Sequence, residues 1–278
     1  MDTKKEFITI YFSKDRPLQL DLALSSSREN SLEWGIQEEA VLFDTSDERI
    51  EKAYKQVSEE HPNVHFIKQN NFKSDLLECI GKRKYFMSIV DDTIFLRPYS
   101  ITDIAYNLKT LSGVLGVSLR LGKNTTWCYP TNSKNEIPEL EKIILPDLYF
   151  FDWTSVKSGD FAYPLDLSSS AYKTDYLLPI LEDLDYNNPN ELEWLLYINK
   201  AKFLSSKFLL CYETSIAFSN PINKVNPSNT NRSGKDDFYS VENLLKEYEN
   251  GKRADYNKFR NFVPSSCHQE ERLEFREK

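Results

Sequence analysis

The feature that most constrains the fold is a regular alternation of short apolar segments with helical segments in the first half of the chain. The apolar segments that read as strands are 7–12, 40–44, 63–69, 85–90 and 113–121. The segments between them that read as helices are 17–30, 45–60, 74–82 and 100–111. Such alternation indicates βαβ units, which place parallel strands side by side and helices on both faces. The sequence therefore predicts an α/β fold with a mostly parallel central sheet flanked by helices.

Residues typical of helix ends support these boundaries. Pro17 suits the first position of a helix, where a missing N–H costs nothing. Thr45 and Glu48 have the spacing of a capping box, so we expect Thr45 to cap the second helix. Late in the chain, Ser240 is suited to cap a helix that ends just before Gly251.

The second half of the chain is less regular. Segment 122–142 is polar and typical of a loop. Segment 174–203 is helical on both sides of an Asn-Pro pair, and 207–213 reads as a late strand. Segment 220–234 is long and rich in turn residues, so we expect a mobile loop there.

Composition and charge exclude several classes of protein. The hydrophobic fraction of 40% supplies a substantial core, so we expect a globular protein. A net charge of −8 argues against nonspecific binding to nucleic acid, which requires a basic surface. No apolar run approaches the 18 residues of a membrane span, and we expect neither a transmembrane segment nor a signal peptide. The four cysteines form no CxxC pair, which favours reduced thiols in a cytoplasmic protein.

Polar side chains follow three of the predicted strands. Asp91 and Asp92 come directly after strand 85–90, segment 13–16 follows the first strand, and Asp44 ends the second. Ligands of open α/β sheets bind at the carboxyl ends of the strands, so we expect these residues to form one crevice. The alternative interpretation is that both carboxylates are ordinary strand-end residues, one solvated and the other capping a turn.

The chemistry of these residues suits a phosphorylated ligand. Mg²⁺ and Mn²⁺ take oxygen ligands, and one or two carboxylates with substrate phosphates is a usual arrangement, which fits Asp91 and Asp92. Arg16 is able to pair with a phosphate or a carboxylate through two hydrogen bonds. The carboxylate of Asp44 is able to accept hydrogen bonds from a ribose or a base. For Arg16 the alternative is an ordinary polar turn.

The order of these motifs resembles that of GT-A-fold glycosyltransferases of the family-two type. The matching elements are a strand followed by SKDRPLQL and a helix, strands ending in FD and FIKQNNF, and the segment FMSIVDDTIFLRP. In that superfamily the fourth strand of a nucleotide-binding half ends in Asp-x-Asp or a shortened Asp-Asp. The resemblance implies a single GT-A-like domain with a Rossmann-like nucleotide-sugar-binding half, 1–125, and an acceptor-side half with a C-terminal helix and tail, 126–278. Segments 160–194 and 243–275 resemble poorly characterised bacterial members.

The resemblance also implies roles for individual residues. Asp91 and Asp92 would hold Mn²⁺ or Mg²⁺ against the diphosphate of the donor, with Arg16 nearby. The backbone near Phe12 and Ser13, together with Asp44, would hold the nucleoside. The segment VDDT departs from the full Asp-x-Asp, which leaves the need for a metal open.

A late histidine commonly completes the metal shell or contacts the diphosphate in these enzymes, and His268 has a suitable position. The alternative is a surface histidine in a charged tail. His61 and His65 lie at a helix end and a strand start, where structural roles are expected.

A general base is also required, because an inverting sugar transfer needs a carboxylate to take the proton of the acceptor hydroxyl. GT-A enzymes commonly place it near the start of a helix in the second half, which suits Glu191 and Glu193. Asp160 and Asp166, in turns of the same half, are further candidates. We rank Glu193 first, followed by Asp160 and Glu191. For Glu193 the alternative is an ordinary helix residue, and for Asp160 a turn residue.

The resemblance therefore predicts a hexosyltransferase-type enzyme, metal-assisted and inverting, that uses a UDP- or GDP-linked sugar and an acceptor that is a glycan, a lipid or a protein. One alternative is a degenerate GT-A-fold protein that binds a nucleotide or glycan without turnover. A sugar nucleotidyltransferase is less favoured, because FSKDRPLQL lacks the glycines of its usual loop. Aromatic residues that would stack on an acceptor or pack under loops are Trp127, Tyr129, Phe151, Trp153, Phe161 and Tyr163.

Overall fold

The centre of the fold is a nine-stranded sheet. The computed structural model describes residues 6–34, 37–143, 148–225, 232, 234 and 236–278. In chain order the described strands are β1 (Phe7–Lys14), β2 (Glu38–Asp44), β3 (His65–Lys68), β4 (Tyr85–Val90), β5 (Thr93–Phe95), β6 (Val114–Ser118), β7 (Trp127–Cys128), β8 (Ser133–Lys134), β9 (Glu141–Lys142), β10 (Leu148–Asp152), β11 (Ser170–Lys173), β12 (Phe208–Tyr212), β13 (Ala217–Ser219), β14 (Lys252–Ala254) and β15 (Phe275–Glu277).

The strand order in the main sheet is β3-β2-β1-β4-β11-β6-β12-β10-β9. Strands β1 to β4 pair in parallel, as do β6 and β12. Only β11 and β10 run against the other strands of this sheet, among the residues described. The predicted α/β fold with a mostly parallel central sheet is thus confirmed.

Helices cover both faces of this sheet. In chain order the described α-helices are α1 (Pro17–Asn30), α2 (Glu48–Glu60), α3 (Phe72–Ile80), α4 (Ile101–Thr110), α5 (Thr174–Asp183), α6 (Pro189–Ile198) and α7 (Val241–Glu249). Alternate residues of β1 enter different cores: Phe7 and Tyr11 pack with α1, α2, α4 and α7, whereas Ile8, Ile10 and Phe12 pack with α3, α5 and α6. Because side chains alternate along a strand, β1 is buried on both sides.

Local capping explains where several helices begin. The carboxylate of Asp47, not the predicted Thr45, accepts a hydrogen bond from the Ile50 amide at 2.9 Å and caps α2. The prediction of Thr45 was wrong because the chain enters the helix two residues later. Ser240 caps α7 as predicted, and Gly251 follows that helix with a positive φ of 83°.

The second half contributes strands that the sequence did not predict. Strand β11 lies in the centre of the sheet, between β4 and β6, although serines precede it in the sequence and it begins with a serine. Strand β10, an apolar and aromatic segment, pairs with β12. The predicted strand 113–121 is shorter than expected and is observed as β6. Of the predicted loop 220–234, residues 226–231 and 233 lie outside the described residues.

A small antiparallel pair brings distant segments to the end of β4. Strand β5 directly follows Asp91 and Asp92, and it pairs with β13. Ser219, at the end of β13, pairs in turn with His268 near the C-terminus. The amide of Asn220 donates to the carbonyl of Asp92 at 2.8 Å. The topology therefore places His268 beside the aspartate pair.

All four cysteines are buried free thiols. Among the described residues, no helix has both the length and the apolar character that a bilayer crossing requires.

Candidate functional site

A cavity of about 550 Å³ lies where β1, β2, β3 and β4 end. Its volume is within the range of roughly 300–1,000 Å³ that is usual for small-ligand sites. The residues that line it are Phe12, Ser13, Lys14, Arg16, Asp44, Gln69, Val90, Asp91, Asp92, Leu167, Ser168, Asn187, Asn188, Pro189, Asn190, Glu193, Pro221, Asn223, Lys224, Val225 and His268. The polar strand ends singled out in the sequence thus meet in one crevice, as predicted.

Asp91 is buried and fully hydrogen-bonded. Its Oδ2 accepts from the Ser13 hydroxyl at 2.9 Å and from the Lys14 amide at 3.2 Å. Its Oδ1 accepts from Arg16 Nη1 at 2.9 Å. A buried carboxylate is tolerated when its lone pairs are satisfied in this way. Asp91 therefore joins the end of β4 to the end of β1.

Arg16 forms ion pairs with both aspartates. Its Nη1 lies 3.6 Å from Asp92 Oδ2 as well as 2.9 Å from Asp91. Its Nη2 donates to the Asn223 carbonyl at 2.6 Å, so the guanidinium is held from three sides. The side chain of Arg16 is only 10% exposed, which makes the ion pairs partly desolvated. This arginine thus balances the charge of the two carboxylates at the end of β4.

Asp92 differs from Asp91 in having an unsatisfied oxygen. Its Oδ1 is buried and has no hydrogen-bond partner. Burial raises the pKa of Asp92, although the Arg16 cation opposes that effect. Asp92 lines the cavity, and an orphaned carboxylate oxygen is what a hard cation would satisfy.

The residues present fit a divalent cation only if the ligand supplies further oxygens. No group of three or more histidine, cysteine, aspartate or glutamate side chains is suitably placed for a metal within the described part of the chain. Mg²⁺ commonly binds through one or two carboxylates plus substrate phosphates. The unpartnered oxygen of Asp92 meets that requirement, whereas the oxygens of Asp91 already have partners.

The other end of the cavity is formed by β1 and β2. Lys14 Nζ pairs with Asp44 Oδ2 at 2.6 Å, and Asp44 Oδ1 accepts from the Thr45 amide at 2.9 Å. The predicted Phe12 and Ser13 line the same region. The half-exposed Lys14 and Asp44 leave this end polar and open to solvent.

His268 lines the cavity and is held by a buried arginine. Arg120 Nη1 lies 3.0 Å from His268 Nε2, and Nη2 of Arg120 donates to Asp166 Oδ1 at 3.2 Å. Burial and the Arg120 cation lower the pKa of His268 well below its usual value. Arg120 was not predicted as a site residue, although a single cation in the apolar segment 113–121 indicates a side chain that needs partners.

Glu193 lies on α6 and reaches the cavity from the second half of the chain. Its Oε2 accepts from the Leu167 amide at 2.8 Å. Burial and the nearby Asp166 carboxylate raise the pKa of Glu193 to about 7. A carboxyl with such a pKa exchanges its proton near neutral pH, which suits a general base.

The structure does not bring the other base candidates to this cavity. Asp160 accepts from Asn135 Nδ2 at 2.8 Å and is not among the lining residues. Glu191 accepts from the Asn187 amide at 2.8 Å and so supports the start of α6. Asp166 forms the ion pair with Arg120.

The aromatic candidates also lie outside the cavity lining. Phe151, Trp153 and Phe161 are buried in the core. Two of the aromatic candidates contact residues of the site: the Tyr163 hydroxyl donates to the Glu193 carbonyl at 3.4 Å, and the ring centroids of Tyr129 and His268 lie 6.4 Å apart. The cavity is also lined, beside Glu193, by three residues that were not predicted from the sequence: Asn187, Asn188 and Asn190.

Comparison with known proteins gives one sequence relative. No protein-family model matches the chain. The chain is 28% identical over 171 residues to the bifunctional glycosyltransferase pgtA of Dictyostelium discoideum. That match covers 55% of this chain but 22% of the relative, so the chain spans about a fifth of the relative's length.

Solved structures of glycosyltransferases are also similar, at low sequence identity. Residues 1–349 of TarS from S. aureus, in complex with UDP-GlcNAc, give a TM-score of 0.49 at 11% identity, over 77% of this chain and 58% of that one. The mannosyltransferase PcManGT from Pyrobaculum calidifontis, in complex with GDP-Man and Mn²⁺, gives 0.36 at 13% identity, over 63% and 46%. The sequence relative confirms the resemblance to glycosyltransferases. The chain is therefore related in sequence to a glycosyltransferase, and it has the predicted α/β fold.

Proposed function

We propose that the protein is a glycosyltransferase that moves a sugar from a nucleotide-diphosphate donor to an acceptor hydroxyl. The observation that carries this proposal is the cavity itself, which places the Arg16 and aspartate cluster and a glutamate of pKa about 7 on its walls. Its position at the ends of four parallel strands is where α/β folds bind nucleotides. The sequence relative has the same general activity in its name.

The ends of β1, β2 and β4 would hold the donor. In this proposal the nucleoside lies near Phe12, Ser13 and Asp44, and the diphosphate lies toward Arg16 and Asp92. Arg16 supplies positive charge beside the phosphates, because its guanidinium is always protonated. UDP- and GDP-linked sugars are the donors to test first.

Asp92 would hold a divalent cation together with the donor phosphates. When bound, Mn²⁺ or Mg²⁺ supplies charge stabilisation for the departing diphosphate. The guanidinium of Arg16, which is held in place by its ion pairs with both aspartates, contributes a fixed positive charge to the same stabilisation.

Glu193 would act as the general base. Its carboxylate takes the proton of the acceptor hydroxyl while the hydroxyl oxygen forms a bond to the anomeric carbon. The bond from that carbon to the diphosphate oxygen breaks, and the nucleoside diphosphate leaves with the electron pair. Attack from the side opposite the leaving group inverts the anomeric centre. Glu193, on α6, lines the same cavity as the strand ends that would hold the donor.

A second candidate function is binding of a nucleotide or glycan without turnover. The observation that favours it is Arg16, which already forms ion pairs with both aspartates. In that case the cavity would bind nucleotides, but no donor would be cleaved.

Thermal unfolding with UDP, GDP, CMP and dTDP-sugars, with and without Mn²⁺, tests the donor site. A ligand at a hundred times its dissociation constant adds about 2.7 kcal/mol of stability, which gives a readily measured rise in Tm. We expect one nucleotide class to stabilise the wild type and Asp92→Asn to lose the manganese-dependent part. Asp175→Asn, an exposed aspartate on α5, is the matched control and should behave as wild type.

If none of the nucleotides raises Tm, the proposed donor site is contradicted. A shift without cleavage of any donor sugar would favour the binding function over the transferase.

A further inference from the structure

The ring of His268 is held at one nitrogen by an arginine that is itself fixed. Arg120 Nη1 lies 3.0 Å from His268 Nε2 and 3.0 Å from the hydroxyl of Ser219. The opposite side of the guanidinium donates to Asp166 Oδ1 at 3.2 Å. Arg120 is 5% exposed, so this contact is shielded from solvent.

The ion pair prevents the guanidinium from turning away. Asp166 Oδ1 also accepts from the Ser168 amide at 2.8 Å, and Oδ2 accepts from the Ser170 hydroxyl at 2.8 Å. On the histidine side, Ser219 pairs with the backbone at His268. Both partners of the arginine–histidine contact are therefore fixed by neighbouring strands and loops.

The chemistry of this contact determines the tautomer of the histidine. An arginine side chain has only donors and stays protonated, so the nitrogen that faces it must be an acceptor with a free lone pair. A neutral imidazole that accepts at Nε2 carries its proton on Nδ1. That Nδ1 is buried and has no partner. The lowered pKa of His268 agrees with a neutral ring.

We propose that Arg120 is a positioning residue that fixes His268 as its Nδ1–H tautomer, so that His268 donates a hydrogen bond to an anionic group of the ligand. This inference rests on the proposed function for the identity of that group, a phosphate oxygen of the donor. A histidine binds a metal only through an unprotonated nitrogen, and the unprotonated Nε2 is already used by Arg120. His268 then assists the diphosphate directly, while Asp92 is left as the side chain that holds the cation.

The tautomer is measured first, on the full chain without nucleotide or metal. The sequence has three histidines, so long-range ¹H–¹⁵N correlations of the ¹⁵N-labelled protein give few ring signals, and His268→Asn assigns the one from His268. We expect a neutral ring at pH 7 with protonated Nδ1 and unprotonated Nε2. A ring protonated at Nε2, or at both nitrogens, overturns the proposal.

The role of Arg120 is measured by the same signals. The double variant Arg120→Met with Asp166→Leu removes both charges together and avoids leaving one buried charge unpaired. We expect the His268 ring to become a mixture of tautomers in that variant. An unchanged Nδ1–H tautomer in the folded double variant overturns the positioning role of Arg120.

Two variants of the histidine test its contact with phosphate even if the arginine variant fails to fold. The amide nitrogen of an asparagine takes the place of Nδ1, whereas that of a glutamine takes the place of Nε2. For UDP and GDP, measured by calorimetry in EDTA, we expect His268→Asn to bind like the wild type and His268→Gln to bind about tenfold more weakly, as for a lost hydrogen bond to a charged group.

The same titrations with Mn²⁺ separate the two roles of histidine. Equal weakening in both variants that appears only with Mn²⁺ identifies His268 as a metal ligand and overturns the proposal. If the wild type binds neither nucleotide, the proposed function and the phosphate contact both fail, whereas the tautomer measurement still decides the role of Arg120.

Discussion

Two glutamates, the buried Glu39 and the partly buried Glu193, have a pKa of about 7. Burial is the largest cause in both cases, because an ionised carboxyl loses its hydration. Glu193 lines the cavity, whereas Glu39 is 2% exposed and accepts from the Tyr11 hydroxyl at 3.0 Å within the core. The first is suited to chemistry, and the second affects stability.

The pH dependence of donor turnover should follow Glu193. A general base must be ionised, so we expect turnover to rise with pH through about 7 and to level off above it. Initial rates of nucleoside diphosphate release between pH 5.5 and 8.5 measure this. A rate that is flat across that interval would show that Glu193 is not the base.

The stability of the protein should depend on Glu39 with a definite sign. Between its ordinary pKa of 4.5 and about 7, the folded state keeps a proton on Glu39 that the unfolded state has lost. Stability from this group is therefore complete below pH 4.5 and declines as the pH rises to about 7. Relative to Glu39→Gln, the wild type should lose about 3 kcal/mol of unfolding free energy across this window.

Urea denaturation at pH 5 and pH 8 gives that difference for both proteins. Glu141→Gln, at an exposed position of β9, serves as the control and should track the wild type at both values. Parallel changes in the wild type and Glu39→Gln would mean that Glu39 ionises as readily in the folded state as in the unfolded state.

Among the elements, helix α2 shows how a cap is chosen. Asp47 has an extended backbone and accepts from the Ile50 amide, so Asp47→Ala should lower the unfolding free energy by about 1 kcal/mol. Thr45→Ala is the matched control, since the sequence pattern also marks Thr45 as a cap. It should change stability by less than about 0.5 kcal/mol. Chemical denaturation compares the two, and a larger loss in the threonine variant would restore the capping-box interpretation.

The elements that could be predicted from sequence were those with a strong local pattern. Strand β4 was predicted with its observed bounds, because its apolar run is short and ends at charges. Strand β11 was missed, since Ser170 and its preceding serines have a loop-like composition, and only pairing with β4 and β6 makes them a strand. Tertiary context overrides β-propensity in such a case.

The part of the site that lies next to strand ends could be predicted from the sequence, whereas its contacts between distant segments could not. Residues next to strand ends, such as Arg16 and Asp44, follow from the positions of the strands alone. The contacts of Arg16 with Asn223 and of Arg120 with His268 join residues far apart in sequence, and no local pattern contains them. The pairing of β5 with β13 creates that proximity.

At the scale of the whole molecule, the cavity is built by both halves of the chain. The first half supplies Ser13, Arg16 and the aspartate pair, and the second supplies Glu193, Asn223 and His268. The central sheet joins these halves, since β11 and β12 from the second half lie beside strands of the first. The nucleoside site and the general base are thereby proposed to belong to different halves that share one sheet.

The measurement that tests this account most directly is nucleoside diphosphate release from the donor that binds, with water as acceptor. Wild type, Glu193→Gln and Glu191→Gln are compared, because the two glutamates lie on one helix and only Glu193 lines the cavity. We expect Glu193→Gln to lower the rate at least about 100-fold while donor affinity stays near that of the wild type, and Glu191→Gln to leave the rate unchanged. Equal rates for wild type and Glu193→Gln would contradict the assignment of the base, and no release by the wild type from any bound donor would contradict the transferase itself.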